Sequence, residues 1–400
     1  MRISRLLGLL GVAGSLSMAL SAPVQAADDV IKIGAPLALT GGLADEGKKQ
    51  QVAYGLWLKR VNAAGGITVG GKKMKVEIIE VDYQTDEKRA QQIAEKLITQ
   101  DKVDFLTAPF GSGHTKVVAG VAERYGVPVM ASVASSESVF NQGYKYLFGT
   151  LSPNGGITEN MAKMFSKLLP NVKKIAILGR EDVFPKSMAN EMKASAERAG
   201  LQVVYSETYP VGMLDHATAL SKIKASAPDW IYISGYTQDL ILARKQMADL
   251  KITAPIITMI TGPAYQEFIT ALGPVADGVT SASWWHHSAL YKSDDVFGST
   301  QEFYKDFLTQ GKGDPDYVNA SAAAALITLQ KAIEKAGSLD KAKVRDALAA
   351  TDIMTFYGPI KFGPNGMNQG RDLPIIQVQK GKVVPLFPDA IKQGTLQTIK

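Results

Sequence analysis

Short apolar runs alternate with amphipathic runs along most of this chain, and this alternation constrains the fold more than any other feature. The run at 31–35 predicts a strand, and a helix is predicted over 48–63. Further strands are predicted at 75–81, 103–106 and 127–131, with helices between them. Short strands separated by helices of about ten to fifteen residues are typical of βαβ units with a parallel sheet.

A second series of the same kind begins after Pro153, with strands predicted at 174–178, 202–205, 230–234 and 255–259. A chain of this length is more than one hydrophobic core usually supports, so two α/β lobes are expected. The last part of the chain predicts three helices and two strands, which is too little for a third domain. We expect this part to complete the two lobes, with several crossings between them.

The beginning of the chain has the order of a secretory signal peptide. Arg2 and Arg5 precede an apolar run over 6–20, and small residues lead to a predicted cleavage near Ala26. The apolar run is short for a membrane span. The sequence has no cysteine, which excludes disulfides and a lipid anchor on a cysteine. We therefore expect a protein exported to the periplasm of a Gram-negative cell, as a monomer.

The distribution of charge and the absence of catalytic motifs argue against several classes of function. The formal net charge is +6, and two of the arginines that contribute to it lie in the predicted signal peptide. No long block of like charge occurs, so neither nucleic acid nor a membrane surface is an expected partner. The four histidines and the absence of His-Glu-x-x-His and Gly-x-Ser-x-Gly motifs argue against an enzyme. We expect no cofactor. The run Trp284–His287 does not predict a metal site.

The segment from Gly42 to Lys49 resembles a phosphate-binding P-loop only superficially. Lys49 stands where such a loop needs Ser or Thr for magnesium, and Asp45 and Glu46 would repel a phosphate. We interpret the two acids as first-turn residues of a helix, where the helix dipole favours negative charge.

Two loops with small hydroxyl residues follow neighbouring predicted strands. The first contains Gly111 and Ser112, and the second runs from Ala134 to Ser136. Ser112 is either a helix cap or an anion ligand, because free N–H groups at a helix start attract anions. Ligands of open α/β sheets bind beyond the carboxyl ends of the strands, so the two loops together predict a carboxylate site.

Several segments occur in an order similar to that of the leucine/isoleucine/valine-binding proteins, the periplasmic receptors of ABC importers for hydrophobic amino acids and amides. The segments are Thr40-Gly41, Asn62–Ile67, Asp82, Gly111-Ser112, Gly126–Pro128, Ala134–Ser136 and Tyr232–Tyr236. The resemblance covers essentially all of the chain after the leader. It implies a type I periplasmic binding fold, in which two doubly wound parallel-sheet lobes are joined by three hinge crossovers.

The resemblance also implies domain limits and site residues. Residues 1–26 are the signal peptide, the N-terminal lobe has residues 27–150 and 283–368, and the C-terminal lobe has 151–282 and 369–400. Ser112 matches the family's carboxylate-binding serine, and Ala134 with the hydroxyl of Ser135 or Ser136 matches the second loop. Phe184 and Tyr236 match aromatic residues of the second lobe.

One position departs from the family pattern. Amino-acid receptors of this family commonly place an acid after the strand at 256–259, to pair with the ligand ammonium, and Thr261 stands there. Asp239, Asp182 or Glu181 could replace it from nearby loops. Otherwise the ligand is an aromatic or other apolar carboxylate, with Phe110, Phe184, Tyr236, Tyr265 and Trp285 as candidates for lining its pocket.

These observations predict the substrate-binding component of an ABC importer. It would bind a small carboxylate, either a hydrophobic amino acid or an aromatic or apolar acid, between the lobes and deliver it to an inner-membrane permease. The alternative is a ligand-sensing regulatory receptor on the same fold.

Overall fold

The computed structural model describes residues 30–310, 313–369 and 372–399. The predicted signal peptide and its cleavage site lie outside these ranges. None of the helices in the ranges is both long enough and apolar enough to cross a membrane.

A six-stranded sheet forms the centre of the first lobe. Its spatial order is β2-β3-β1-β4-β5-β6, and β1 pairs in parallel with β3 along its whole length. Only the β2–β3 pair is antiparallel. The strands are β1 (Val30–Leu37), β2 (Ile67–Val69), β3 (Lys72–Asp82), β4 (Phe105–Thr107), β5 (Val129–Ala131) and β6 (Leu147–Gly149).

Helices from two separate parts of the chain belong to this lobe. They are α1 (Ala44–Ala63), α2 (Glu87–Thr99), α3 (Ser112–Tyr125), α4 (Glu137–Phe140), α10 (Thr300–Leu308), α11 (Tyr317–Ala336) and α12 (Lys341–Ala349). The alanine-rich α11 packs against α1, because small side chains let two helices approach closely. A hairpin of β12 (Asp352–Thr355) and β13 (Gly358–Lys361) follows α12.

A seven-stranded sheet forms the centre of the second lobe, in the order β15-β14-β11-β10-β9-β7-β8. Its strands are β7 (Lys174–Arg180), β8 (Gln202–Tyr209), β9 (Trp230–Ser234), β10 (Ile256–Ile260), β11 (Thr280–Ala282), β14 (Ile375–Gln379) and β15 (Lys382–Phe387). Its helices are α5 (Asn154–Leu168), α6 (Val183–Arg198), α7 (Ala217–Ala225), α8 (Thr237–Asp249) and α9 (Gln266–Leu272). Strands β9 and β10 are buried on both faces, as expected of a parallel sheet between layers of helices.

Local sequence explains where several elements begin. The side chain of Asp86 accepts a hydrogen bond of 2.7 Å from the Arg89 N–H and caps α2. Apolar residues of α2 at intervals of three and four, from Ala90 to Ile98, form its buried stripe. Asp316 caps α11 through the Val318 N–H at 2.8 Å.

Between residues 30 and 399, three segments connect the two sheets. They lie after β6, after β11 and before β14. The crossing segments lie side by side: the Ser283 N–H donates to the Pro374 carbonyl at 2.9 Å, and the Trp284 indole N–H donates to the Ser152 carbonyl at 3.2 Å. This is the two-lobed architecture with three crossovers that the sequence predicts.

Candidate functional site

The two polar loops of the first lobe lie side by side at one edge of the sheet. They follow β4 and β5, which are neighbours in the sheet. The Gly111 N–H donates to the Val133 carbonyl at 3.0 Å, and the Ser136 N–H donates to the Ser112 hydroxyl at 3.3 Å. The loops therefore form one polar surface, although they are more than twenty residues apart in the sequence.

The three serines of these loops have different hydrogen-bonding states. The Ser112 hydroxyl is buried at the start of α3 and accepts from Ser136, which leaves its own O–H able to donate. The Ser136 and Ser138 hydroxyls are 3.0 Å apart and satisfy each other. The Ser135 hydroxyl is also buried, but it has no partner among the described residues. An unsatisfied buried hydroxyl costs free energy, so it points to a missing partner such as a ligand.

Aromatic side chains from both lobes face these loops, and we call them the aromatic belt: Phe110, Phe184, Tyr236, Trp284 and Tyr317. The Tyr236 ring contacts Phe110 edge to face at 5.6 Å and stacks on Phe184 at 6.1 Å between centroids. Trp284 contacts Phe184 at 5.9 Å and Tyr317 at 5.0 Å. The belt thus runs continuously from one lobe to the other.

Glycine is required in the first polar loop, next to Tyr236 of the second lobe. Gly111 has φ of +90°, a conformation that side chains with a Cβ rarely adopt. A Cβ there would also lie 3.3 Å from the Tyr236 hydroxyl oxygen. Gly111 therefore shapes the loop and lets the second-lobe tyrosine approach its backbone.

The aromatic belt and the polar loops enclose a cavity between the lobes. The cavity has about 10 Å³ of space open to the centres of water molecules, and it is lined by Phe110, Gly111, Val133, Ser135, Leu151, Phe184, Tyr236, Trp284 and Tyr317. None of these lining residues carries a charge. Burial raises the pKa of the Tyr236 and Tyr317 phenols well above the ordinary value, so both hydroxyls stay neutral.

The structure brings most of the predicted site residues together. Phe110, Ser135, Phe184 and Tyr236 line the cavity. Ser112, Ala134 and Ser136 belong to the two loops behind it, where all three are buried. Sequence reasoning missed Trp284 and Tyr317 as lining residues.

Trp285 does not line the cavity, which corrects the sequence prediction. It packs edge to face against Phe303 at 5.9 Å, on the other side of its segment, and Trp284 faces the cavity. Tyr265 also lies behind the wall, stacked on Tyr317 at 5.6 Å with the two hydroxyls 2.6 Å apart.

Thr261 is likewise absent from the cavity wall. Its hydroxyl donates to the Gly235 carbonyl at 3.3 Å, and its N–H donates to the Ser281 hydroxyl at 3.2 Å. Its φ is +83°, which is unusual for a β-branched residue, and these hydrogen bonds hold it there. Thr261 therefore shapes the loop after β10 and supplies no negative charge.

The acids that could replace a missing carboxylate at position 261 are already engaged. Asp239 accepts from the Arg180 guanidinium at 2.5 Å and belongs to the capping box of α8. Asp182 caps α6 through the Val183 N–H at 2.7 Å. Glu181 forms an ion pair with Lys186 on the surface. None of the three lines the cavity.

An ion cluster joins the lobes beside the cleft. Lys49 of α1 lies 2.9 Å from Glu267 of the second lobe and 2.7 Å from Asp316 of the first. Its ammonium also lies 3.8 Å from the centroid of the Tyr265 ring. These contacts and the enclosed cavity define the arrangement that we call closed.

Glu46 forms a second contact between the lobes. Thr237 of α8 donates to the Glu46 carboxylate at 2.8 Å, and Glu46 is only 2% exposed. Burial raises the pKa of Glu46 above its ordinary value. The sequence interpretation of Glu46 as an ordinary first-turn acid is therefore incomplete, since the second lobe covers it.

The described ranges contain no group of three or more His, Cys, Asp or Glu side chains arranged to hold a metal ion. His286 stacks on His287 at 4.2 Å, and burial with the neighbouring ring lowers the pKa of His286 to about 3. This pair packs as an aromatic surface beside Tyr304.

Comparison with known proteins identifies the family. The sequence model of the family described as "Periplasmic binding protein" matches residues 30–382. The chain belongs to the periplasmic binding protein family. The leucine-, isoleucine-, valine-, threonine- and alanine-binding protein of Pseudomonas aeruginosa is 24% identical over 95% of this chain and 96% of its own. The predicted resemblance to the leucine/isoleucine/valine-binding proteins is thus confirmed.

Solved structures of periplasmic binding proteins share the fold. The leucine-binding protein LivK of Thermotoga maritima superposes with a TM-score of 0.80 at 24% identity, covering 89% of this chain and 97% of its own. A solute-binding protein of an ABC transporter from R. palustris, solved with benzoate, has a TM-score of 0.76 at 22% identity, covering 89% and 95%. The predicted two-lobed type I fold is confirmed.

Proposed function

We propose that this protein is the periplasmic substrate-binding component of an ABC importer, and that its ligand is a small carboxylate with an aromatic or apolar body and no ammonium group. One observation carries the proposal. The cavity between the lobes combines five aromatic rings with one unsatisfied serine hydroxyl, and none of its lining residues is charged.

The polar loops would hold the carboxylate end of the ligand. The buried Ser135 hydroxyl has its hydrogen available, and the Ser112 hydroxyl can still donate while it accepts from Ser136. Ser112 opens α3, where the first N–H groups of the helix have no partner within it and favour an anion. Hydrogen bonds from neutral donors to a carboxylate are charge-assisted and therefore stronger than ordinary ones.

The absence of a charged lining residue is the argument against an amino-acid ligand. An ammonium group that leaves water without a carboxylate partner costs several kcal/mol. Thr261 supplies no charge, and Asp239 and Asp182 already bind Arg180 and the α6 N-terminus. An acid that lacks the ammonium avoids this cost.

The cavity also implies that the lobes separate to admit a ligand. Its walls leave room for about one water molecule. An aromatic acid must therefore enter an opened cleft and be enclosed when the lobes close, as in hinge closure of binding proteins. Delivery to an inner-membrane permease would follow, and no separate feature favours a regulatory receptor.

A thermal-shift screen of the mature protein tests the proposal. A ligand at a hundred times its Kd stabilises the folded state by about 2.7 kcal/mol through mass action, which raises Tm. Benzoate, 3-phenylpropionate and 4-methylpentanoate are compared with phenylalanine, leucine and isoleucine. We expect the acids to raise Tm and the amino acids to leave it unchanged. Phe184→Ala is the matched variant and should abolish the shift, whereas a shift by amino acids alone would contradict the proposed ligand class.

A further inference from the structure

Glu46 has an unusual place in the closed protein. It lies in the first turn of α1 in the first lobe, and its carboxylate accepts from Thr237, which begins α8 in the second lobe. The two residues are 191 positions apart in the sequence. The contact therefore exists only while the lobes are together.

No cation pairs directly with Glu46 among the described residues. Lys49 on the same helix lowers the pKa of Glu46, but its ammonium is already held by Glu267 and Asp316. Asp45 precedes Glu46, remains exposed, and adds a negative charge. The other titratable groups near Glu46 are the buried phenols of Tyr83, Tyr236, Tyr265 and Tyr317.

The four phenols cannot compensate a charge on Glu46. Burial raises the pKa of each, so all four stay neutral at physiological pH. The Thr237 hydroxyl and the Glu46 backbone N–H each supply a hydrogen bond that lowers the pKa of Glu46, but burial has the larger effect. The closed arrangement thus favours a neutral carboxyl group at this position.

Separation of the lobes reverses this preference. Without α8 the Glu46 carboxylate would stand in water at the start of α1, where the helix dipole favours the charged form. We propose that the lobes close with uptake of one solvent proton by the Glu46 carboxylate, and that this proton is released when they open. This inference rests on the proposed function in one respect, because closure of the lobes is the step that retains the ligand.

The sign of the pH dependence follows from linkage. Burial raises the pKa of Glu46 in the closed form above its ordinary value of 4.5. In the open form, where α8 no longer covers the carboxylate, we expect no such rise. The closed form therefore binds more protons. The stabilisation of the closed form by this proton is complete below pH 4.5, and it is lost as the pH rises through the raised pKa of Glu46. Within that window one proton changes the ratio of closed to open protein by up to about tenfold per pH unit.

The test measures the distance between the lobes without any ligand. The chain has no cysteine, so Gly55→Cys on α1 and Thr270→Cys on α9 provide two unique spin-label sites, both exposed. Pulsed electron paramagnetic resonance gives the distance distribution at pH 8.0, 6.5 and 5.0. We expect the population at the shorter, closed distance to rise relative to the longer one as the pH falls from 8.0 to 5.0.

Two variants in the labelled background decide the outcome. Glu46→Gln keeps the acceptor for Thr237 without a titratable proton, so it should favour the closed distance at every pH. Asp45→Asn removes the adjacent exposed acid, which also accepts from Gln238 of α8, and it should leave a pH dependence of the same sign. The proposal is overturned if the wild-type distribution does not change with pH, or if its change persists in Glu46→Gln. Because no ligand is added, this result is independent of whether the acids bind.

Discussion

The two faces of the cleft differ in chemistry. The first-lobe face presents serine hydroxyls and backbone N–H groups beside Phe110 and Tyr317, whereas both second-lobe residues that line the cavity, Phe184 and Tyr236, are aromatic. Trp284, in a crossing segment, packs on Phe184 and extends this aromatic face. The difference separates two tasks. Polar groups on the first lobe can bind a carboxylate in the open cleft, and the rings of the second lobe then enclose the body of the ligand and select its shape.

Removal of the Trp284 ring, which packs on Phe184 of the second lobe, should have the largest effect. Trp284→Ala opens a cavity between the lobes, so we expect about 3–5 kcal/mol loss in the free energy of unfolding and loss of detectable acid binding. Trp285→Ala is the matched control, because Trp285 is equally buried but packs on Phe303. It should cost similar stability and keep affinity. Urea denaturation measures the stability of both variants, and calorimetry measures their affinity. Weaker binding in Trp285→Ala alone would show that Trp285, and not Trp284, lines the cavity.

Removal of a hydroxyl from the first-lobe face should have an intermediate effect. Ser135→Ala deletes the donor proposed for the carboxylate, which is worth roughly 1.5–3 kcal/mol, or a tenfold to hundredfold rise in Kd. Ser136→Ala is the control, since that hydroxyl already bonds to Ser138. It should change Kd less than about threefold. Equal losses in the two variants, measured by calorimetry, would show that the loop binds through its backbone alone.

A change behind the second-lobe face should affect affinity least. Asp239→Asn weakens the ion pair with Arg180 and the cap of α8, so we expect roughly 1–3 kcal/mol loss in the free energy of unfolding. The Kd for 3-phenylpropionate should change less than about threefold, because Asp239 does not line the cavity. Tight binding of phenylalanine that disappears in this variant would instead make Asp239 the partner of a ligand ammonium.

Much of the fold could be predicted from the sequence, because most elements carry their own signal. The predicted strand at 230–234 has the observed bounds, and the predicted strands at 174–178 and 202–205 begin where β7 and β8 begin. Strands β6 and β11 were not predicted. They have only three residues each, and their strand conformation depends on pairing with neighbours in the sheet.

The candidate site could be predicted from the sequence only where the order of strands, loops and helices along the chain indicates it. The two serine loops follow adjacent strands, so their position at one sheet edge was predictable from βα alternation. The choice of Trp284 over Trp285 depends on the direction of one backbone segment. The roles of Tyr317 and Glu46 depend on contacts with residues distant in the sequence, so no local sequence pattern predicts these roles.

Calorimetry with matched ligands tests the central claim most directly. The mature protein is titrated at one pH with 3-phenylpropionate and with phenylalanine, which differ by the ammonium group alone. The uncharged cavity wall predicts that the acid binds at least about tenfold more tightly, since the amino acid buries a cation without a partner. Tighter binding of phenylalanine would contradict the account and make this protein an amino-acid receptor.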